Sequence, residues 1–155
     1  MKRVIRNNVF ETNSSSIHTL VYKEQVLEKS ELKVHANGEV RIYLRYFGRE
    51  CLDYDTQEEK MSYIMSYLWC FLGEDNNSFE NYYLWKEIKD ALIKYINNNN
   101  TSKYKCTNIT FYGEGDFDHQ TYPECLEDCV VDLYNPEAVV QFVFNKDAVL
   151  HTDSD

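Results

Sequence analysis

Residues 56–73 constrain the chain more than any other stretch, because both ends and one face of a helix are encoded there. Thr56-Gln57-Glu58-Glu59 has the spacing of a capping box, in which the Thr hydroxyl takes the amide three residues on and the Glu carboxylate reaches back. Met61, Ile64, Met65, Leu68 and Leu72 then recur at helical spacing as one apolar stripe. Gly73 supplies the left-handed residue that stops such a helix. A second helix is expected after Ser78, its candidate cap, with Leu84, Ile88, Ala91, Leu92 and Tyr95 as its stripe. It should dissolve into the asparagines of 97–100, which are poor helix formers. Two successive helices of this kind form a hairpin and need a sheet to cover.

The rest of the chain supplies strands. Residues 1–9 read as a short basic strand or arm. Residues 17–22 alternate, which puts His18 on the same face as Leu20 and Tyr22. Residues 32–34 and 39–44 flank His35-Ala36-Asn37-Gly38, and Asn-Gly in that setting predicts a hairpin with a type I′ turn. Residues 106–112 form a further strand, followed by the loop Gly113-Glu114-Gly115-Asp116. Pro123 can open a helix running through Leu133. Residues 137–145 fit either helix or strand, and 148–151 close the chain as a last strand. With 155 residues, 43% of them hydrophobic, there is enough apolar surface for one real core. The expected fold is a single α+β domain over 1–155. Its sheet is mostly antiparallel, with a β-hairpin near the N-terminus and a helical hairpin packed on one face.

Charge is distributed unevenly. The net charge is −10, yet residues 1–50 carry nine Lys and Arg against six acids. Between Cys106 and Asn145 no Lys or Arg occurs, while Glu114, Asp116, Asp118, Glu124, Glu127, Asp128, Asp132 and Glu137 do. A field of that sign repels nucleic acid and attracts basic proteins. It can also be no more than a solvated surface that aids solubility. Thirteen tyrosines offer rings with a polar tip, suited to contact faces as well as to small cores.

Five cysteines, with no Cys-x-x-Cys pair, read as reduced thiols of an intracellular protein. Cys125 and Cys129 would share a face if helical and could hold half a metal site, although such pairs more often fill a core. His151, Asp153 and the cysteines match no known ligand spacing, so neither a metal nor another cofactor is expected. No apolar run approaches a membrane span, and Lys2, Arg3 and Arg6 lack the apolar stretch of a targeting signal. A cytoplasmic location without membrane contact is expected.

Two polar constellations are candidates for chemistry. Thr12, Asn13, Ser14, Ser15 and Ser16 form a run of short side chains leading into His18. Their hydroxyls and amides could hold a phosphate or a base edge, although the glycines and Lys of a P-loop are missing. The second is Asp118-His119-Gln120-Thr121. If the two share a cleft, His18 and His119 could act as acid and base near neutral pH, with Asp118 orienting them or binding a metal. Gln120 would then join the ligand contacts. The bland alternative makes His18 a satisfied core residue and the serines a structural turn.

Phe10-Glu11-Thr12-Asn13-Ser14-Ser15-Ser16-Ile17-His18 resembles the opening of a group of small phage and prophage proteins. Asp118-His119-Gln120-Thr121, Phe144-Asn145 and Thr152-Asp153 are similar to later parts of the same group. The resemblance implies an accessory protein of a mobile element and names no reaction. Together with the acidic stretch it sets the leading expectation. This is an anti-CRISPR-like inhibitor that occupies the basic surface of a host nucleic-acid-binding effector, without touching nucleic acid itself. Glu114, Asp116, Glu124, Glu127, Asp128 and Asp132 are its expected contact residues. The alternative is a small enzyme acting on a nucleotide or phosphodiester through His18, His119 and Asp118. Oligomeric state is not legible.

Overall fold

The structure, a computed structural model, describes residues 2–7, 16–22, 27–48, 50–118 and 122–154. In chain order its elements are β1 (Lys2–Asn7), β2 (Ser16–Tyr22), β3 (Glu39–Tyr43), β4 (Tyr46–Phe47), β5 (Leu52–Tyr54), α1 (Gln57–Phe71), α2 (Asn76–Asn81) and α3 (Tyr83–Asn99). They continue with β6 (Asn108–Tyr112), β7 (Asp116–Phe117), α4 (Pro136–Phe144) and β8 (Val149–Ser154). The architecture is α+β. An antiparallel four-stranded sheet in the order β1-β2-β8-β5 is accompanied by two short parallel ladders, β3 with β6 and β4 with β7.

α1 lies at the centre. Its capping box is complete: the Glu59 amide donates to Thr56 Oγ1 at 3.2 Å and the Thr56 amide to Glu59 Oε2 at 3.5 Å. At the other end Gly73 adopts φ 82°, the Gly73 amide bonds the Cys70 carbonyl and the Glu74 amide bonds the Trp69 carbonyl, a Schellman closure. The sequence shows one apolar stripe, but the helix is buried on nearly every side, including Lys60, Ser62 and Ser66. Its polar side chains meet backbone instead of water: Ser62 Oγ donates to the Tyr43 carbonyl at 2.7 Å, and Ser66 Oγ accepts from the Arg45 amide at 3.1 Å. Satisfying those groups locally is what lets a helix with two serines and a lysine sit inside a core.

Four local expectations change. The 35–38 turn is present, with the Gly38 amide on the His35 carbonyl and the His35 amide on the Glu39 carbonyl. Only Gly38 has positive φ there, so it is a turn followed by a left-handed glycine and not type I′. β3 then finds its ladder partner in the distant β6. Asp75, not Ser78, caps α2, and α3 continues to Asn99. Tertiary bonds override asparagine's low propensity: Asn97 exchanges two hydrogen bonds with the backbone of Cys106, at 2.9 and 2.8 Å. The helix expected after Pro123 is only a 3-10 turn at Leu126–Asp128. Cys125 and Cys129 flank it in extended backbone, so they share no helical face. Residues 136–144 settle as a helix, because Asn135 caps it and Pro136 occupies its first turn.

Candidate functional site

The two polar constellations are brought together only in part. Thr12, Asn13, Ser14, Ser15, His119, Gln120 and Thr121 lie outside the described residues. Ser16 opens β2 opposite Ser154, and His18 stands opposite Arg6 on one side and Thr152 on the other. His18 is fully buried. Its Nδ1 lies 3.0 Å from the Tyr63 hydroxyl, and its ring packs against Tyr63 and Phe117 with centroids 5.7 and 5.8 Å away. Phe117 sits on β7 because β4 holds it beside Phe47. Asp118 follows, 2% exposed, with its amide on the Phe47 carbonyl at 3.0 Å. The described ends of the two motifs therefore meet across an aromatic cluster that includes Tyr67. Tyr63 and Tyr67, on the non-stripe side of α1, are the members that periodicity alone did not single out.

The acidic stretch behaves differently. Glu114, Asp116, Glu124, Glu127, Asp128, Asp132 and Glu137 are exposed, and Asp118 alone among the eight is buried. Among the described residues, none of those seven ion-pairs with a Lys or Arg. Two pairs formed by described residues of the basic half go elsewhere, Arg41 to Glu39 and Arg45 to Glu59.

Three of these carboxylates, Asp116, Glu127 and Asp132, stand beside tyrosines near the C-terminal end of α1, together with Glu74. Asp116 and Glu74 converge on the Cys70 thiol, and Tyr122 donates to Glu74 at 3.3 Å. Gly115 makes this approach possible, because a Cβ there would lie 2.8 Å from the Ser66 side chain. From Phe71 the surface continues through Tyr82, at 6.5 Å between ring centroids, to Tyr83 at 5.1 Å. Tyr134 donates to Glu127 at 3.3 Å, and its own amide bonds Asp132 Oδ1 at 3.1 Å. Burial first and then Glu127 raise the Tyr134 hydroxyl pKa, with Tyr82 and Tyr83 adding to it, so these groups share one local field. Tyr83 and Tyr134 are 60% and 52% exposed, which makes them available to a partner. The last turn of α1 carries no basic residue, so its partial negative charge adds to the field. Glu74, Tyr82, Tyr83 and Tyr134 were not singled out from sequence. Cys70 and Glu74 at four-residue spacing across the predicted helix stop were the available signal.

Cys70, Glu74 and Asp116 each place one ligand atom within 4.8 Å of the others, so among the described residues this is the group that can hold a metal ion. Burial, then the Asp116 and Glu74 charges, push the Cys70 thiol up to about 12. As the structure stands it is a protonated thiol. On the far sheet edge, His151 Nδ1 pairs with Asp53, and Cys51 donates to Asp153 at 2.8 Å.

The fold and surface thus define an α+β protein with seven exposed carboxylates that, among the described residues, pair with no Lys or Arg, and with exposed tyrosines beside some of them. Comparison with protein-family models, with curated proteins and with solved structures returns no match. No helix among the described residues is long and apolar enough to cross a membrane.

Proposed function

We propose that this chain is a phage-type accessory protein that antagonises a host nucleic-acid-handling defence system in the manner of an anti-CRISPR inhibitor. Its acidic face occupies a basic surface on the effector. The observation that carries the reading is the set of seven exposed carboxylates with no Lys or Arg partner among the described residues. Close to them stand two half-exposed tyrosines. Unpaired charges of one sign steer a partner of the other sign, and rigid aromatic side chains anchor it at low entropic cost. The opening resemblance to phage and prophage proteins adds support.

The test uses purified nucleic-acid-guided effector complexes and follows their binding to target DNA. The protein should displace DNA from one of them. The triple variant Glu124→Lys, Glu127→Lys, Asp128→Lys should fail to do so while melting at the wild-type temperature. Displacement that the triple variant retains, or that salt leaves unchanged, would remove the basis for this role.

A second reading, a small enzyme acting on a nucleotide or phosphodiester, draws on one observation. The Phe117 ring lies against His18, so the chain enters the Asp118–Gln120 motif beside β2. Under that reading His18→Ala and His119→Ala each abolish turnover at unchanged stability. The complete burial of His18 favours a structural role for it instead.

A further inference from the structure

A groove of about 460 Å³ runs between the 31–35 segment, β3 and the start of α1, on residues the acidic face does not use. Its volume falls in the range of small-molecule sites. Lys33, His35 and Arg41 line it, three nitrogen-bearing side chains in a chain whose net charge is −10. They are close enough that Arg41 and Lys33 both act on His35. Among the described residues neither the Lys33 ammonium nor the His35 ring has a hydrogen-bond or ion-pair partner. Arg41 spends its Nε on Glu39 at 2.7 Å and keeps its terminal nitrogens for another acceptor. Alternation explains the grouping: Leu32, Val34, Val40 and Ile42 point into the core, which leaves Lys33, His35 and Arg41 on the outer side. Glu31 and Glu58 also line the groove and present acceptors to it.

We propose that this groove binds a small phosphate ester bearing hydroxyl groups. The phosphate is held by Lys33, His35 and Arg41, and the hydroxyls donate to Glu31 and Glu58. Three donors suit a doubly charged phosphate better than a single carboxylate, and the planar Arg41 guanidinium can grip two of its oxygens. The two carboxylates disfavour a bare polyanion and select a ligand with donors beside its phosphate.

Nuclear magnetic resonance titration with ribose 5-phosphate tests this, read at the His35 ring. Burial, Arg41 and Lys33 hold the free imidazole below its usual pKa, against an opposing pull from Glu39. A bound phosphate should raise that pKa. The expected result is a saturable shift of the His35 signals with ribose 5-phosphate, weaker binding of inorganic phosphate and none of ribose. Lys33→Ala with Arg41→Ala should weaken binding at least about tenfold, the loss expected for charge-assisted bonds. Three outcomes would overturn the assignment: no saturable shift at millimolar ligand, equal binding of ribose, or undiminished binding by a double variant that still melts cooperatively.

Discussion

His18 Nδ1 and the Tyr63 hydroxyl lie 3.0 Å apart with both side chains wholly buried, joining the outer sheet to the central helix. Removing one member of such a pair leaves the other without that partner in a low-dielectric site. Tyr63→Phe should therefore lower unfolding free energy by about 1–3 kcal/mol in urea denaturation. His18→Ala should cost more, because it adds a cavity between Tyr63 and Phe117. A His18→Ala protein with wild-type stability would show that the ring contributes nothing to packing.

Lys60 gives a pH signature. Its ammonium is fully buried and donates to the carbonyls of Asn145 at 2.9 Å and Ala148 at 3.1 Å, pinning the turn from α4 into β8. Burial lowers its pKa to about 8, with Glu28, Asp55 and Glu59 opposing. The unfolded chain holds that proton to about pH 10.4. Between those values the unfolded state binds more protons, so this group's contribution to stability rises with pH. Its cost is full below pH 8, on the order of 3 kcal/mol, and relieved above pH 10.5. Denaturation of wild type and Lys60→Met across pH 7–10.5 should show this upward trend in the wild type alone, once the shared tyrosine and cysteine titrations are subtracted.

Two glycines with positive φ should respond unequally to alanine. At Gly73, φ 82°, an added methyl group would meet nothing within 4 Å, so Gly73→Ala should cost only the backbone strain, about 1 kcal/mol. At Gly38, φ 85°, a Cβ would lie 2.3 Å from Thr107 Oγ1 and 3.1 Å from the Lys105 carbonyl. Gly38→Ala should cost clearly more, by thermal melting, because turn strain and a clash with the β6 entry act together.

What was legible in the sequence is what local chemistry decides. Thr56, Glu59 and Gly73 mark the ends of α1 because a cap is satisfied by residues three or four positions away. The Asn37-Gly38 turn was visible for the same reason, although its type depended on how β3 leaves toward β6. That pairing of residues some seventy positions apart has no local signature. Nor does the burial of Lys60, whose carbonyl partners lie on the far side of the chain. The stop expected at Asn97 failed because Cys106 supplied its hydrogen bonds. The acidic stretch was legible as composition, but the tyrosines beside it come from α3 and from the loop before α4, and only the fold assembles them.

Thr56→Ala should lower stability by about 1 kcal/mol, since it removes one bond of the capping box and leaves the α1 stripe intact. Chemical denaturation reads this directly, and an unchanged midpoint would mean the helix start is held by packing alone.

Calorimetry should be run at low and at high salt on the purified effector complex whose DNA the protein displaces, with wild type and with the Glu124→Lys, Glu127→Lys, Asp128→Lys variant. Wild-type binding should be tight and fall steeply as salt screens the carboxylates, and the variant should give no measurable heat. Equal affinity at both salt concentrations, or a variant that binds as well as wild type, would contradict the proposed role.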